Sequence, residues 1–375
     1  MIKKIVSAIL VIITLTTTMV GCNKYPAKRS TFKERRVVMT LSLDGEEYKI
    51  RYELYRALFL NYKSLVDGGD DSVWSSDNSD EYVDKINEVI IGKASEIYSV
   101  FHLAEKIGID PYSKDIKKQI QEYIRISVEG NGADVIGYGG DYDAYLDSLK
   151  QNNMNYAVQE LMFRYEITLN LINEYFKGYE DKSLGHIAGE YDYSKEDVKN
   201  YYYSDGCVRV LHAYVDELYG ASAKDRMEQI RAGMLKCSSE LDIALYIINN
   251  TTVTAEDLIY TTSDADGKVV RKANGVILGE NTLGADYALY KDTAFQLEVG
   301  QTSDVFAIND GITTYYVLYK LEKTDEYFED CYYDIASAYL DNIISEKLME
   351  IADDLAESAE YTKKYSKIDH TDISM

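Results

Sequence analysis

The sequence predicts an α+β chain in which two helical blocks flank a β-containing insert. Three observations predict it. Between residues 82 and 104, Tyr82, Ile86, Val89, Ile90, Ala94, Ile97, Phe101 and Ala104 make one apolar stripe at helical spacing. Near residue 205 the period changes, and Val208, Val210, His212 and Tyr214 share one face of a strand. From Ile335 through Tyr339, Ile343, Leu348, Ile351 and Leu355 the helical period returns. This last helix has a broad apolar face and no local cover. The economical arrangement packs it back on the first helical block, which makes that domain discontinuous.

The elements follow in chain order. Residues 1–21 read as a signal peptide, with Lys3 and Lys4 before an apolar stretch from Ile5 to Val20. A membrane span needs about 20 apolar residues, so this stretch is short for one. Met19-Val20-Gly21-Cys22 resembles a bacterial lipobox, whose cysteine is acylated and becomes the new N-terminus. An ordinary signal peptide with an incidental cysteine is the alternative. Acyl chains contribute about 0.8 kcal/mol per buried CH₂, so several hold a soluble body to a membrane durably. The expectation is an extracytoplasmic chain, lipid-anchored to the bacterial cell membrane through Cys22. Residues 22–36 carry Lys24, Lys28, Arg29, Lys33, Arg35 and Arg36, and read as a basic tether on anionic lipid.

Residues 37–204 read as a hairpin and a helical domain. The alternation over 37–50 turns at Asp44-Gly45, a strong hairpin signal. A helix follows from about Ile50 to Val66, then a solvated loop over 67–79. The striped helix stops at Gly108, and Asp110-Pro111 opens the next helical segment, to about Val128. Residues 130–140 are glycine-rich but lack the Lys-Ser/Thr of a phosphate cradle, so they read as a loop. Two helices cover about 142–150 and 155–177.

The insert spans 205–322. After its first strand come helices at Ala223–Lys236 and about 238–249. An extended stretch over 256–280 turns at Asp266-Gly267. A short helix at 285–295 precedes strands Val305–Ile308 and Thr314–Leu321, joined at Asn309-Asp310-Gly311. Residues 323–365 hold the long C-terminal helix packing on the N-terminal domain, and 366–375 are a polar tail.

Composition removes several functions. The 375 residues hold 64 Asp plus Glu against 40 Lys plus Arg, for a net charge of −24. Phosphate backbones repel such a chain, so nucleic acid is excluded as a partner. Removing Lys3 and Lys4 with the leader makes the mature chain more acidic still. At 46% hydrophobic residues the chain can bury a core. Four cysteines are not a disulfide scaffold; Cys207 and Cys237 either pair or remain free thiols. The four histidines, at 102, 186, 212 and 370, form no zinc pattern, and no metal or other cofactor is expected. The acidic runs Asp70-Asp71 and Asp77–Asp80 lack calcium-loop spacing, and no Ser-His-Asp or Cys-His pattern stands out.

Several stretches carry a resemblance. Val208-Arg209-Val210-Leu211-His212-Ala213-Tyr214-Val215 resembles the first strand of parvulin-type prolyl isomerases, V-R-x-x-H-I-L-V. Ala294-Phe295-Gln296-Leu297-Glu298-Val299-Gly300-Gln301-Thr302-Ser303 is similar to their A-F-x-L-x-x-G-x-x-S, and Tyr315–Lys320 to their closing G-Y-H-I-I-K. Tyr193–Tyr202 resembles the segment entering this domain in PrsA- and SurA-type foldases, and 37–50 with Tyr142–Phe176 their N-terminal chaperone domain. The resemblance spans about 45–365 through the order of its parts; no single motif is specific. It implies a discontinuous helical chaperone domain with an inserted parvulin-like β/α domain. It also implies a membrane-anchored foldase with peptidyl-prolyl cis-trans isomerase activity, whose partners are unfolded secreted polypeptides, and homodimerisation as in some relatives.

Site residues carry over position by position. His212 stands at the first of two family histidines. The second falls at Thr313 counted from Gly311, or at Tyr316 by strand pattern, which is preferred. The proline-pocket methionine maps to Asp286 or Tyr287, the pocket phenylalanine to Tyr290, and Phe295 follows. The implied catalytic pair is His212 and Tyr316, with Tyr287, Tyr290 and Phe295 binding substrate. The family's G-G-D-L-G appears as Asn274-Gly275-Val276-Ile277-Leu278-Gly279, without its acidic or cysteine residue. The stretch over 250–275 is also longer than in parvulins. These departures keep open a holding chaperone on the same scaffold, or a surface lipoprotein binding a peptide or other small ligand.

Overall fold

The structure is a computed structural model and describes residues 25–132, 135–181, 185–220, 222–264, 266–282, 287–309 and 312–362. The leader, Cys22, the tail from 366, Asp286 and the turn residues Asp310 and Gly311 lie outside the described residues. The chain is α+β and divides into two compact units: residues up to Glu174 together with those from Lys347, and Tyr175–Glu346.

The first unit begins with a hairpin, β1 (Val37–Leu43) and β2 (Glu46–Arg51). Its turn puts Asp44 at φ 53° and Gly45 at φ 88°, the left-handed pair that a two-residue turn demands. Helices α1 (Tyr52–Asp67), α2 (Ser79–Lys106), α3 (Lys114–Glu129), α4 (Tyr142–Gln151) and α5 (Tyr156–Lys177) follow. Apolar residues at helical spacing on α3, Ile116, Ile120, Ile124 and Val128, close a core against Tyr145, Leu146 and Leu149 of α4 and Ile167 of α5.

Three expectations need correction in this unit. Residues 25–36 are not a free tether. Tyr25 is 5% exposed within the α3–α4 core, and its hydroxyl donates to Glu129 at 2.9 Å. Downstream, Tyr52 N–H donates to the Arg36 carbonyl and Glu53 N–H to that of Glu34. An aromatic ring beside an open core outweighs the solvation of the flanking charges. The third helix starts at a Ser113 cap, which accepts from Ile116 N–H, while Asp110 instead accepts from Tyr112 N–H in a turn of its own. Within 67–79, a 3₁₀ turn at Asp71–Ser75 buries Trp74, whose Nε1 donates to Asp67 at 2.8 Å.

The second unit opens with the small pair β3 (Tyr179–Asp181) and β4 (Gly185–Ile187), then α6 (Lys195–Tyr203). Its main strand is β5 (Cys207–Asp216), followed by α7 (Ala223–Met234), α8 (Glu240–Asn250) and the single turn α9 (Ala255–Leu258). Strands β6 (Ile259–Ser263) and β7 (Val269–Ala273) make a separate hairpin, and β8 (Val276–Gly279) returns to the main sheet. Helix α10 (Ala288–Gln296), β9 (Phe306–Asn309), β10 (Thr313–Lys320) and α11 (Asp325–Asp330) complete the insert. The four-stranded sheet is antiparallel with order β8-β5-β10-β9.

Alternation along β5 explains the two covered faces of this sheet. Leu211, Ala213, Val215 and Val317 meet Met227 and Ile230 of α7 and Ile243 and Ile247 of α8. Val208, Val210, Leu318, Leu278 and Ile308 meet Tyr290 and Ala294 of α10. A third cluster joins Val198 and Tyr202 of α6 to Cys207, Tyr327, Phe328, Cys331 and Ile335. That cluster ties α6 and α11 to the sheet, and the contact boundaries fall at 174/175 and 346/347, outside the expected 204/205 and 322/323. The thiols Cys207, Cys237 and Cys331 are all free, which removes the pairing of Cys207 with Cys237.

The last helix, α12 (Tyr332–Glu357), contributes to both units, and β11 (Glu360–Tyr361) pairs with β1 in the register Met39 to Tyr361.

Candidate functional site

Strand register builds the site. On β5, His212 and Tyr214 share one face by alternation, and His212 lies against Tyr290 of α10. Tyr316 of β10 lies directly opposite Tyr214, and Phe306 of β9 directly opposite Tyr316. The three rings form a row across three strands, with centroids 5.9 Å and 5.7 Å apart. Such spacings suit aromatic pairs and add to simple burial.

Helix α10 brings Tyr290 onto this row. Its ring stands edge-on to Tyr316 at 5.4 Å and to Phe306 at 6.2 Å. Its hydroxyl lies 2.8 Å from His212 Nδ1. Tyr290 is 5% exposed, and this burial, with Tyr316 adding to it, pushes its phenol far above the ordinary tyrosine range. The group is therefore a neutral hydroxyl at any physiological pH, able to donate or accept toward the imidazole. His212 also meets Tyr214 edge-on at 5.7 Å.

The structure thus brings His212, Tyr316 and Tyr290 into one constellation. Tyr287, the residue before α10, and Phe295 near its end are half-buried and pack on the same cluster. Thr313 sits at the start of β10 opposite Asn309 and, three positions from Tyr316, takes the other face by alternation. Cys22 and Asp286 lie outside the described residues. Phe306 is a member that sequence reasoning missed, although its alternation with Ile308 was a readable signal. Tyr214 was placed on the correct face but given no role.

The Asn274–Gly279 segment has a structural job. Arg209 projects from β5 with its guanidinium 3.4 Å from the Tyr327 ring centroid. It donates to the carbonyls of Ala273 at 2.5 Å and Glu322 at 3.1 Å, and Tyr327 donates to Asn274 at 2.6 Å. A cavity of about 410 Å³ opens beside Arg209, lined also by Tyr260, Arg271 and Glu326. Another of about 370 Å³ lies in the first unit, among Tyr48, Leu54, Tyr98, Tyr112, Leu161 and Arg164. Among the described residues no three His, Cys, Asp or Glu side chains group to hold a metal ion, and no helix is long and apolar enough to cross a membrane.

No protein-family profile matches the chain, and no curated protein matches it. Solved structures do. The foldase protein PrsA from Streptococcus pneumoniae is 14% identical, with 84% of this chain and 92% of that chain covered and a TM-score of 0.30. PrsA from Bacillus subtilis is 14% identical over 91% of this chain and 100% of that one, with a TM-score of 0.26. A peptidylprolyl isomerase, PrsA, from Bacillus anthracis is 14% identical over 69% and 95%, with a TM-score of 0.24. At such scores the site has to be read from its own geometry.

Proposed function

We propose that the chain is a membrane-anchored extracytoplasmic foldase whose second unit acts on X-Pro bonds. The observation that carries this reading is the placing of His212, Tyr290 and Tyr316 on one aromatic face of the antiparallel sheet.

An X-Pro bond exchanges between cis and trans over a barrier of about 18–20 kcal/mol, in tens to hundreds of seconds. A secreted chain waiting that long exposes apolar surface. No covalent step is needed to shorten the wait. A face that receives the prolyl ring and favours the twisted amide over either planar form lowers the barrier by differential binding. Here Tyr316 and Phe306 supply the flat apolar surface, and His212 with Tyr290 supplies the hydrogen-bonding groups beside it. In the first unit, the 370 Å³ cavity offers three tyrosine rings together with Arg51, Glu47 and Arg164, a mixed surface suited to an extended, unfolded segment.

One observation favours the non-catalytic holding chaperone. The Tyr290 ring is buried against Tyr316 and its hydroxyl already engages His212, so part of the aromatic face is covered. The test separates the two. Purified protein is assayed for exchange at a proline in a short peptide and for suppression of aggregation of an unfolded client. The isomerase reading expects exchange that His212→Ala abolishes, with suppression retained. Suppression without exchange leaves the holding chaperone. Loss of both in the wild type removes the foldase reading and points to a lipoprotein for a small ligand. Labelled lipid incorporated in the wild type and absent in Cys22→Ser tests the anchor.

A further inference from the structure

We propose that the loop between α3 and α4 is a membrane-contacting surface, in which Val135, Ile136 and Tyr138 enter the headgroup–acyl boundary of the bilayer that holds Cys22. The proposal rests on the lipid-anchor reading of Cys22 and adds a second, protein-borne contact to it.

The first observation is exposure. Ile136 is 96% exposed, with Val135 at 36% and Tyr138 at 42% beside it, the Tyr138 ring resting one edge on the buried Tyr145 at 5.9 Å. Single exposed apolar residues are ordinary, but three at one loop tip form a patch. The second is that the backbone holds them out. Asn131 N–H donates to the Val135 carbonyl at 3.0 Å, and Val135 N–H donates to the Asn131 side chain at 2.8 Å. Tyr138 and Gly140 N–H both donate to the Val128 carbonyl. The closure needs glycine: a Cβ on Gly137, at φ 64°, would lie 2.2 Å from Gly130 N. The loop is built to present its tip.

The third observation identifies the occupant. Tyr25 is packed in the core formed by α3 and α4, and the Pro26 carbonyl accepts from the Tyr142 hydroxyl at 2.7 Å. A Cβ on Gly140 would lie 3.9 Å from the Tyr25 hydroxyl, so the end of the loop and the docked N-terminal segment adjoin. Cys22 is three residues from Tyr25, and three residues span at most about 11 Å. An acylated Cys22 therefore keeps this end of the unit at the bilayer surface, within the roughly 5–10 Å depth that interfacial apolar groups reach. Tyr138 carries the amphipathic ring that suits the headgroup level. The exposed Lys28 and Arg29 follow on the same segment and face anionic headgroups, whereas Asp143 and Asp147 of α4 make the surroundings mixed in charge. The contact is therefore chiefly apolar and should survive high salt.

The test uses the acylated chain from Cys22 onward, reconstituted in phosphatidylglycerol–phosphatidylethanolamine vesicles with brominated acyl chains. One variant is Ile136→Trp. A control is Leu65→Trp, also exposed, at 74%, but near the C-terminal end of α1, whose Asn61 meets Asn153 beyond the far end of α4. Trp74 is buried and common to both. The expected result is a blue shift and loss of emission for the indole at 136, unchanged by high salt, with neither at 65. Protein that floats with the vesicles while the indole at 136 stays water-exposed overturns the proposal and leaves the anchor standing. Protein that does not float overturns both. Equal quenching at 65 and 136 means unspecific adsorption, and a blue shift without lipid means a second copy covers the tip; either overturns the proposal.

Discussion

The bond between Tyr290 and His212 gives the sharpest test of the site. Tyr290→Phe removes one oxygen and keeps the ring, so the edge-on contacts with Tyr316 and Phe306 at 5.4 Å and 6.2 Å persist. What is lost is a 2.8 Å partner of His212 Nδ1. Leaving a buried polar group without a partner costs about 1–3 kcal/mol. His212 is only half-buried, which puts the effect near the lower end, about 1 kcal/mol. His212→Ala strands the Tyr290 hydroxyl instead, at a site 5% exposed. Combined, the two changes remove the pair, so a double-mutant cycle should return a coupling of about 1 kcal/mol. A loss of 1 kcal/mol lowers Tm by about 2–4 °C in a unit of this size. Calorimetry reads the transition, and hydrogen exchange at the β5 and β10 amides assigns it to this sheet. Trp74 belongs to the other unit, so its fluorescence is not a substitute. A coupling within the roughly 0.3–0.5 kcal/mol expected of independent sites would refute the idea that Tyr290 holds the histidine. The same variants separate positioning from structure. If Tyr290→Phe changes peptide exchange more than it changes aggregation suppression, the hydroxyl serves the histidine's chemistry.

Two further outcomes are expected. Burial raises the Glu166 carboxyl above its ordinary 4.5, so the native state holds this proton more tightly than the unfolded chain. Its contribution is then lost as pH rises through the native value, and Glu166→Gln should melt higher than the wild type at neutral pH, the gap closing toward pH 4.5; a variant less stable at neutral pH contradicts this. Burial also pushes the thiols of Cys207 and Cys331 up to about 11; Cys237 is raised too, but it is half-exposed while the other two are buried. A thiol reagent on the acylated native chain should therefore modify Cys237 first and the other two only on unfolding, as mass spectrometry of timed digests would reveal.

Local chemistry made much of this chain legible. Asp44-Gly45 announced its turn because few other pairs tolerate two left-handed residues. The stripe on α2 and the alternation on β5 reported burial directly, since each period maps onto one face. The choice of Tyr316 beside His212 came from the family resemblance, and the register that joins their two strands is a long-range pairing that alternation along one strand does not report. Illegible features depended on distant partners. Nothing near Tyr25 separates a docked ring from a linker residue, because its core lies about a hundred residues away in α3 and α4. Arg209 had no role beyond the V-R-x-x-H resemblance, and the carbonyls of Ala273 and Glu322 explain its burial. The unit boundaries depend on distant partners too: Tyr202, Tyr327 and Phe328 pack α6 and α11 on Cys207.

The pairing of β11 with β1 carries a temporal consequence. Thr362 N–H donates to the Val38 carbonyl at 2.9 Å, so the hairpin's outer edge is completed by residues from the other end of the chain. Ribosomes add about 5–20 residues per second. The hairpin therefore waits roughly a quarter of a minute to a minute for its third strand. During that interval its free edge is an open template for any extended segment nearby. The inserted unit suffers no such delay, since Tyr175–Glu346 is contiguous and can close earlier. A chain of this design can close its inserted unit before the edge of its opening hairpin is sealed.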